Sequence, residues 1–309
     1  MFGTPFFEGS ETRWNEYETH MIWTILVAAF VIFVFYSWWI EPAWRLRVQE
    51  WAIKSDTWTG PPLTIAIIAD LHAGWPHIPL KQIRKIVART NREGADLIVN
   101  LGDLGAAHPF AVHYGKRTIA DCLASLHAPL GVYHVLGNHD WWQDQAALEA
   151  RGVPEAARAL VEAKLSLLDN EAVEVPWGNG AFWVAGLGDQ RPKANDPSVA
   201  GFDDIDAALA DVPKDAPVIL LAHEPDLFPN VPENVVLTLS GHTHGGQVRF
   251  GPWSPFIAFS GTEEFGYGPF EADGRHLVVS GGIGCAVVPA RFGIPPEITV
   301  VTLSGPDKD

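Results

Sequence analysis

Cysteine is almost missing from this chain: Cys122 and Cys285 are the two among 309 residues. Two thiols cannot supply a disulfide framework, so stability must come from an apolar core, and the compartment is left open. Basic residues are scarce as well. There are 21 Lys and Arg against 37 Asp and Glu, a formal net charge of -16. A protein that follows a phosphate backbone needs clustered cations, so no nucleic-acid partner is expected. Internal repeats and low-complexity tracts are absent, which argues against solenoids and disordered arrays.

Charge of either sign is also missing from Met21 to Ile40, MIWTILVAAFVIFVFYSWWI. At ~1.5 Å per residue that run covers the ~30 Å hydrocarbon core of a bilayer. Trp23, Tyr36, Trp38, Trp39 and Trp44 lie near its ends, as interfacial aromatics do. A secretory signal would start basic and finish on small residues. Here Glu8, Glu11, Glu16 and Glu18 face a single Arg13, and the exit reads Ser-Trp-Trp-Ile-Glu-Pro. The expected organisation is an extramembrane segment at 1–20, a transmembrane helix at 21–40, a connector at 41–62 and a catalytic domain at 63–309. Arg45, Arg47 and Lys54 follow the span, so the positive-inside rule puts that domain on the cytoplasmic side of the inner membrane.

The rest of the chain alternates short apolar runs with helical patterns. Thr64–Ala69, Leu97–Leu101, Tyr133–Leu136, Val218–Ala222 and Val235–Ser240 read as buried strands, the first of them starting at Leu63. Helices are expected over Pro79–Arg92, Thr118–Leu126 and Gly201–Asp211, and over Asp144–Leu168 with a break at Gly152-Val153-Pro154. Each of the five strands runs into metal-ligand chemistry: Asp70-Leu71-His72, Gly102-Asp103, Gly137-Asn138-His139-Asp140, His223 and Gly241-His242-Thr243-His244. In open α/β sheets ligands gather beyond the carboxyl ends of strands. Any one of these histidines alone reads as an ordinary surface or core residue. Five sites at five strand ends point to a common centre for divalent metal.

The ordered elements D-L-H, G-D-L, G-N-H-D, A-H-E-P and G-H-T-H-G-G-Q resemble the calcineurin-like metallophosphoesterase superfamily over about Leu63 to Leu303. The closing stretch, from Gly282-Ile283-Gly284-Cys285 to Pro295-Pro296-Glu297-Ile298, is similar to its membrane-anchored bacterial YkuE/YaeI-like phosphodiesterase branch. The resemblance implies an α/β fold, a four-layer αββα sandwich of two mixed sheets. It also implies two divalent ions, Mn²⁺ first with Fe or Zn as alternatives, bridged by Asp103. Asp70, His72 and His244 complete one site; Asn138, His223 and His242 complete the other. His139 would protonate the leaving oxygen, oriented by Asp140.

Arg291 is a candidate for phosphate contact or for packing near the site. Cys285 has no activating base beside it and reads as a small buried residue. His108 and His113, in the loop after Asp103, are candidates for the pocket lining. Trp141, Trp142, Trp253, Phe256 and Phe265 are candidates for an apolar wall or for core packing. The segment after Gly102-Asp103 lacks the G-D-x-V-D-R-G of protein Ser/Thr phosphatases, and with it their phosphate-gripping Arg. The expected activity is hydrolysis of a phosphodiester or pyrophosphate, the substrate lipid-linked, as in a UDP-diacylglucosamine-type lipid A precursor. A nonspecific phosphomonoesterase and a catalytically silent metal-binding membrane protein are the competing readings.

Overall fold

The structure, a computed structural model, describes residues 8–192, 199–255 and 264–306, with the side chains of residues 8–16 not included. Phe256 lies outside the described residues.

Helix α1 (Glu8–Phe35) continues through a π-helical turn (Tyr36–Ile40) into α2 (Glu41–Trp44). Tyr17–Trp44 is long and apolar enough to cross a membrane. The π turn has a local cause and a consequence. Glu41 N–H donates to Tyr36 O, and Pro42 has no N–H to give. The carbonyls of Ser37 and Trp38 are thereby left to other donors. Arg291 N–H takes Ser37 O at 2.9 Å, and His77 Nε2 lies 2.7 Å from Trp38 O. Buried Glu41 accepts from Ile294 N–H at 3.0 Å through Oε1. The end of the helix is thus fastened to the globular body.

The body follows in chain order: β1 (Arg47–Lys54), β2 (Leu63–Ile68), β3 (Gly74–Trp75), α3 (Leu80–Arg92), β4 (Leu97–Asn100), β5 (Val112–His113), α4 (Lys116–Leu123), β6 (Val132–His134), α5 (Asn138–Trp142), α6 (Gln145–Ala150), α7 (Glu155–Glu162), β7 (Ser166–Leu167), β8 (Glu171–Trp177), β9 (Gly180–Gly186), α8 (Ile205–Ala208), β10 (Val218–Leu221), β11 (Val235–Ser240), β12 (Gly268–Ala272), β13 (Arg275–Val279) and β14 (Glu297–Ser304). Two six-stranded sheets form, ordered β1-β14-β2-β4-β6-β7 and β12-β13-β11-β10-β9-β8. Both are mixed: β2, β4, β6 and β7 run parallel while β14 opposes β2, and β9, β10, β11 and β13 run parallel between antiparallel edges β8 and β12.

The sheets pack face to face through Ile65, Ile67 and Val99 of one and Val184, Leu221 and Leu239 of the other. Each such side chain, fully buried, contributes roughly 1.5–3 kcal/mol. Helices α3, α4 and α7 cover the first sheet through Ile83, Ile86, Ile119 and Leu160. Among the described residues the second sheet is covered more thinly, by α8 and the 3₁₀ turn Pro225–Asn230. This is the expected four-layer sandwich.

The first strand begins at Arg47, not Leu63: half of the stretch 41–62 is α2 and β1 rather than connector. β1 pairs in parallel with β14 along all eight of its residues. As an edge strand it has one exposed face, and only Ile53 of its eight residues is buried, so it lacks the continuous apolar run that marks the inner strands. The expected helix at Gly201–Asp211 is one turn, α8, capped by the Asp204 carboxylate accepting from Ala207 N–H.

Candidate metal centre

The turns after β2, β4, β6, β10 and β11 carry Asp70 and His72, Asp103, Asn138 and His139, His223, and His242 and His244 respectively. Backbone bonds lock these turns to one another. His72 N–H donates to Asp103 O at 2.9 Å, and Gly241 N–H to His223 O at 3.0 Å. Asp70, His72, Asp103, His242 and His244 all have positive φ, five of eleven such non-glycine residues described. Each costs of order 1–2 kcal/mol, and concentration of that strain at one edge marks a site held in place by its surroundings. Gly137 is required by closeness. A Cβ there would strike the Asp103 carboxylate and lie 2.7 Å from His223 Cε1.

The ligand atoms converge. Asp103 Oδ2 lies 3.4 Å from His72 Nε2 and 3.4 Å from His223 Nε2. Asp70 Oδ1 is 3.6 Å from His244 Nε2 and 3.9 Å from His223 Nε2. Asn138 Oδ1 is 3.1 Å from His223 Nε2 and 3.0 Å from His242 Nδ1. Asn138 Nδ2 is buried without a partner. The far nitrogens of two rings are tied to carbonyls, His72 Nδ1 to Gly105 O at 3.1 Å and His223 Nδ1 to Leu101 O at 2.6 Å. In the neutral rings those bonds put the proton on Nδ1 and leave Nε2 as the lone pair facing the centre.

The electrostatics fit a cation. Burial pushes His72 down to about 3 and holds His242 and His244 well below the ordinary histidine range, so these three rings keep free lone pairs. Burial raises Asp70 to about 7. Burial works against charge on Asp103 too, but His223, His139 and His72 outweigh it and hold its carboxyl well below the usual carboxylate range. His223 is raised well above its usual value, burial being overcome by Asp103, Glu224 and Asp70. The anionic surroundings that favour a proton on His223 would equally favour a divalent ion in its place.

Asp140, His108 and His113 depart from the roles expected of them, while Arg291, Trp141 and Phe265 take their packing alternatives. Asp140 does not hold the His139 ring. Its Oδ2 accepts from Asp103 N–H at 2.9 Å and Gly137 N–H at 3.1 Å, and its Oδ1 from Leu104 N–H at 3.1 Å and Lys116 Nζ at 3.2 Å. It clamps two ligand-bearing turns together. Arg291 is fully buried and donates to Gly281 O, Gly284 O and Ile294 O, with Nη2 3.3 Å from His244 Nδ1; it packs under the centre and is not free to grip a phosphate. His108 is buried against His77, with ring centroids 5.4 Å apart, near the candidate membrane helix, and His113 is exposed in β5. Phe265 packs on Phe228 and Phe270 beneath the second sheet, and Trp141 stacks on Phe202 at 4.0 Å in the core.

His139 stays beside the centre. Its N–H donates to Asp103 Oδ1 at 2.8 Å, its ring lies 4.3 Å from that of Trp142, and burial lowers its pKa. Cys285 is buried, which pushes its thiol up to about 11 and fits a packing residue rather than a nucleophile. Three charged residues escaped the motif reading. Glu224 Oε1 is buried, unpartnered and 3.9 Å from His242 Nδ1. Asp189 Oδ2 is likewise orphaned, and burial together with Glu224 raises its pKa well above the usual value. Lys116 is buried on Asp140. Glu224 had a signal, its place in Ala-His-Glu-Pro; Asp189 and Lys116 had none.

A two-sheet sandwich presenting this Asp, His and Asn cluster at its strand ends defines a metal-dependent phosphoesterase. The chain belongs to the calcineurin-like phosphoesterase family, whose model matches residues 63–246. It is 30% identical to an uncharacterized metallophosphoesterase of Aquifex aeolicus over 84% of this chain and 92% of that one. It is 28% identical to the uncharacterized metallophosphoesterase YkuE of Bacillus subtilis, over 77% and 78% respectively. A transmembrane protein with metallophosphoesterase domain from Danio rerio is 27% identical over 78% of this chain and 53% of its own length. Among solved structures, Haemophilus influenzae NAD nucleotidase aligns with a TM-score of 0.45 at 16% identity, covering 72% of this chain and 45% of that one.

Proposed function

We propose that this protein is a membrane-anchored phosphoesterase that uses two divalent ions to cleave a phosphodiester or pyrophosphate bond in a lipid-linked substrate. The observation that carries the two-ion reading is the position of Asp103 Oδ2, 3.4 Å from both His72 Nε2 and His223 Nε2. One oxygen shared by two ligand sets is what a bridging carboxylate requires. Asp70, His72 and His244 would hold one ion; Asn138, His223 and His242 the other, with Glu224 beside them. The mix of carboxylate, amide and imidazole donors suits Mn²⁺, with Fe and Zn as alternatives. Bound there, the ions would neutralise phosphoryl charge and make hydroxide available near neutral pH.

The chain's own residues supply the rest. His139 borders the ligands with its backbone pinned to Asp103, so its ring is the candidate acid for the leaving oxygen. Trp142 flanks that ring. Asp140 and Lys116 keep the Asp103 and Gly137 turns in register.

The candidate span favours a substrate held in the bilayer, since tethering raises the effective concentration of such a substrate and does little for a soluble one. A nucleotide-diphospho-acyl sugar of the UDP-diacylglucosamine type is the first to try. Arg45, Arg47 and Lys54 favour a cytoplasmic catalytic domain on the inner membrane. The test uses the full-length chain in detergent with Mn²⁺. Bis-p-nitrophenyl phosphate should be cleaved in preference to p-nitrophenyl phosphate, and an acylated substrate should show a higher kcat/KM than its deacylated form. Preference for the monoester would assign a phosphomonoesterase. Equal kcat/KM for both lipid forms would remove the lipid-linked substrate. No turnover by a metal-loaded protein would assign a silent metal-binding protein.

A further inference from the structure

Helix α3, LKQIRKIVARTNR, carries Lys81, Arg84, Lys85, Arg89 and Arg92 and no acidic residue, in a chain of net charge -16. Its buried face is spent on the core through Ile83, Ile86, Val87 and Thr90. The cations therefore occupy the outer face, and part of that face borders α2. Between the two helices runs a groove of about 690 Å³, lined by Ala43, Trp44, His77, Lys85, Arg89 and Arg92 among others. Gln82 Nε2 reaches Ala43 O at 3.5 Å and helps to hold α2 beside α3. Arg47, also in the lining, is neutralised by Glu297 at 2.8 Å, and Arg89 is shared with Glu93 at 2.7 Å. Among the described residues, Lys85 and Arg92 make no ion pair. They are the groove's uncommitted charges.

The groove has a definite level relative to the candidate span. Around Phe33 to Trp38 the helix is ringed by apolar side chains that the domain leaves exposed. Phe250 lies 6.5 Å from Phe33, Phe110 lies 6.1 Å from Trp38, and Trp253 lies 6.2 Å from Phe250, centroid to centroid. Trp75 and Val112, paired across β3 and β5, are exposed on neighbouring strands. Rings that touch the span belong at hydrocarbon depth. From Trp38 to Trp44 the helix advances ~9 Å at ~1.5 Å per residue. The polar layer that takes a bilayer from ~30 to ~40–45 Å is ~5–8 Å deep on each side, so that advance carries the chain from the hydrocarbon edge through it. The exposed Trp44 at the groove's lip is an interfacial residue by type. Apolar rim and basic groove thus follow one another in the order of acyl chains and head groups.

We propose that the groove between α2 and α3 binds the phosphate head group of an anionic phospholipid, with Lys85 and Arg92 as its charged contacts and Trp44 at its mouth. This rests on the membrane reading of the span and is independent of the metal centre. The bound lipid fixes the tilt of the catalytic body on the bilayer. The charge of α3 itself adds to the positive side of the span, a surface the anionic cytoplasmic leaflet attracts.

The experiment uses the full-length chain in dodecyl maltoside with EDTA, so that phosphate binding through metal is suppressed. Dioctanoyl phosphatidylglycerol, dioctanoyl phosphatidylcholine and inorganic phosphate are titrated calorimetrically. Phosphatidylglycerol should bind, phosphatidylcholine at least about tenfold more weakly, and the Lys85→Glu/Arg92→Glu variant should lose at least about tenfold for phosphatidylglycerol alone. A Lys85→Gln/Arg92→Gln variant should lie between the two, which separates charge from misfolding. Equal binding of the two lipids, or unchanged binding by the charge-reversed variant, overturns the proposal. Inorganic phosphate as tight as phosphatidylglycerol, with the same variant dependence, reassigns the groove to a soluble anion and overturns the lipid. Release of the wild-type chain from membranes by alkaline carbonate removes the anchor on which the proposal rests and overturns it by that route, whatever the calorimetry shows.

Discussion

Arg291 Nη2 lies 3.3 Å from His244 Nδ1, while the backbone N–H of the same arginine donates to Ser37 O at the end of the candidate membrane helix. A candidate metal ligand and the helix are therefore linked through one residue. Glu41 adds a second tie through Ile294 N–H, whose neighbouring carbonyl accepts from Arg291. The helix end is part of the catalytic body rather than a detachable tether.

A fragment starting at Leu63 is accordingly expected to fail. It loses β1, and with it Ile53 and Trp58, both buried between the sheets. Their burial alone is worth roughly 3–6 kcal/mol, against a typical total of ~5–15 kcal/mol. Relative to the detergent-solubilised full chain, deletion of residues 1–62 should yield aggregated chain or a transition lowered by 10 °C or more, about what that loss implies. Circular dichroism melts check this. Equal melts for the two would make β1 dispensable.

Asp103→Asn keeps the shape of the side chain and removes its charge. The two ligand sets then lose the anion between them, and with it the charge that raises the His223 pKa. Bound Mn²⁺ measured by atomic emission should fall from two equivalents toward one or none, with activity below detection. Retention of two equivalents with full turnover would end the bridging role.

How legible this was in the chain depended on where the information lies. Candidate ligands at strand ends are local: Asp70, Asp103, His223, His242 and His244 each follow a buried run whose composition announces a strand, so the strands and the gathering of these residues at one edge were readable. Edge strand β1 was not, because RVQEWAIK buries little and carries charge on its open face. The π turn before Pro42 had a sequence signal in the missing N–H, but its partners, Arg291 and His77, lie far along the chain. Lys116 pairs with Asp140 across 24 residues, and no spacing rule links an arbitrary helix lysine to a motif aspartate. The role given to Asp140 failed for the same reason: adjacency to His139 in sequence suggested a side-chain contact, whereas its oxygens reach backbone N–H groups of other turns.

Asp140 and Lys116 should therefore behave as positioning residues. Asp140→Ala unties Asp103, Leu104 and Gly137 N–H together, and metal affinity should fall about 10–100-fold. Lys116→Met leaves the buried carboxylate its three backbone donors but not its counter-ion. A stability loss approaching ~3–5 kcal/mol is expected, with a smaller effect on metal affinity. Chemical denaturation and competitive chelator titration separate the two. Identical metal affinities for Asp140→Ala and wild type would refute the clamp.

His134 predicts a pH dependence away from the metal centre. Burial lowers its pKa to about 4 from 6.5, and its Nδ1 lies 3.2 Å from Asn100 Nδ2. The folded state binds that proton less readily than the unfolded state. The stability contribution is complete above pH 6.5 and is lost as pH falls toward 4, about 3 kcal/mol in all. Urea unfolding of the metal-free protein should weaken over that window, and His134→Gln should flatten part of the slope. An unchanged slope would show that His134 titrates normally in the folded state.

His139 offers the sharpest test of the chemistry. Its ring borders the ligands, its N–H is fixed on Asp103 Oδ1 at 2.8 Å, and its pKa is lowered by burial, with the Asp103 charge opposing. If it protonates the leaving oxygen, His139→Ala should retain both metal equivalents and lose roughly 10²–10⁴-fold in kcat for an alkyl leaving group. The loss should shrink for a nitrophenolate, which departs without protonation. The alkaline limb of the rate profile, set by loss of the acid's proton, should begin at lower pH than an ordinary histidine would give, and should vanish in the variant. Rates for a series of phosphodiesters with leaving groups of graded pKa, plotted for both proteins, decide it. Parallel lines would mean that His139 positions the phosphate and gives no proton; a steeper line for the variant is the outcome expected of a general acid.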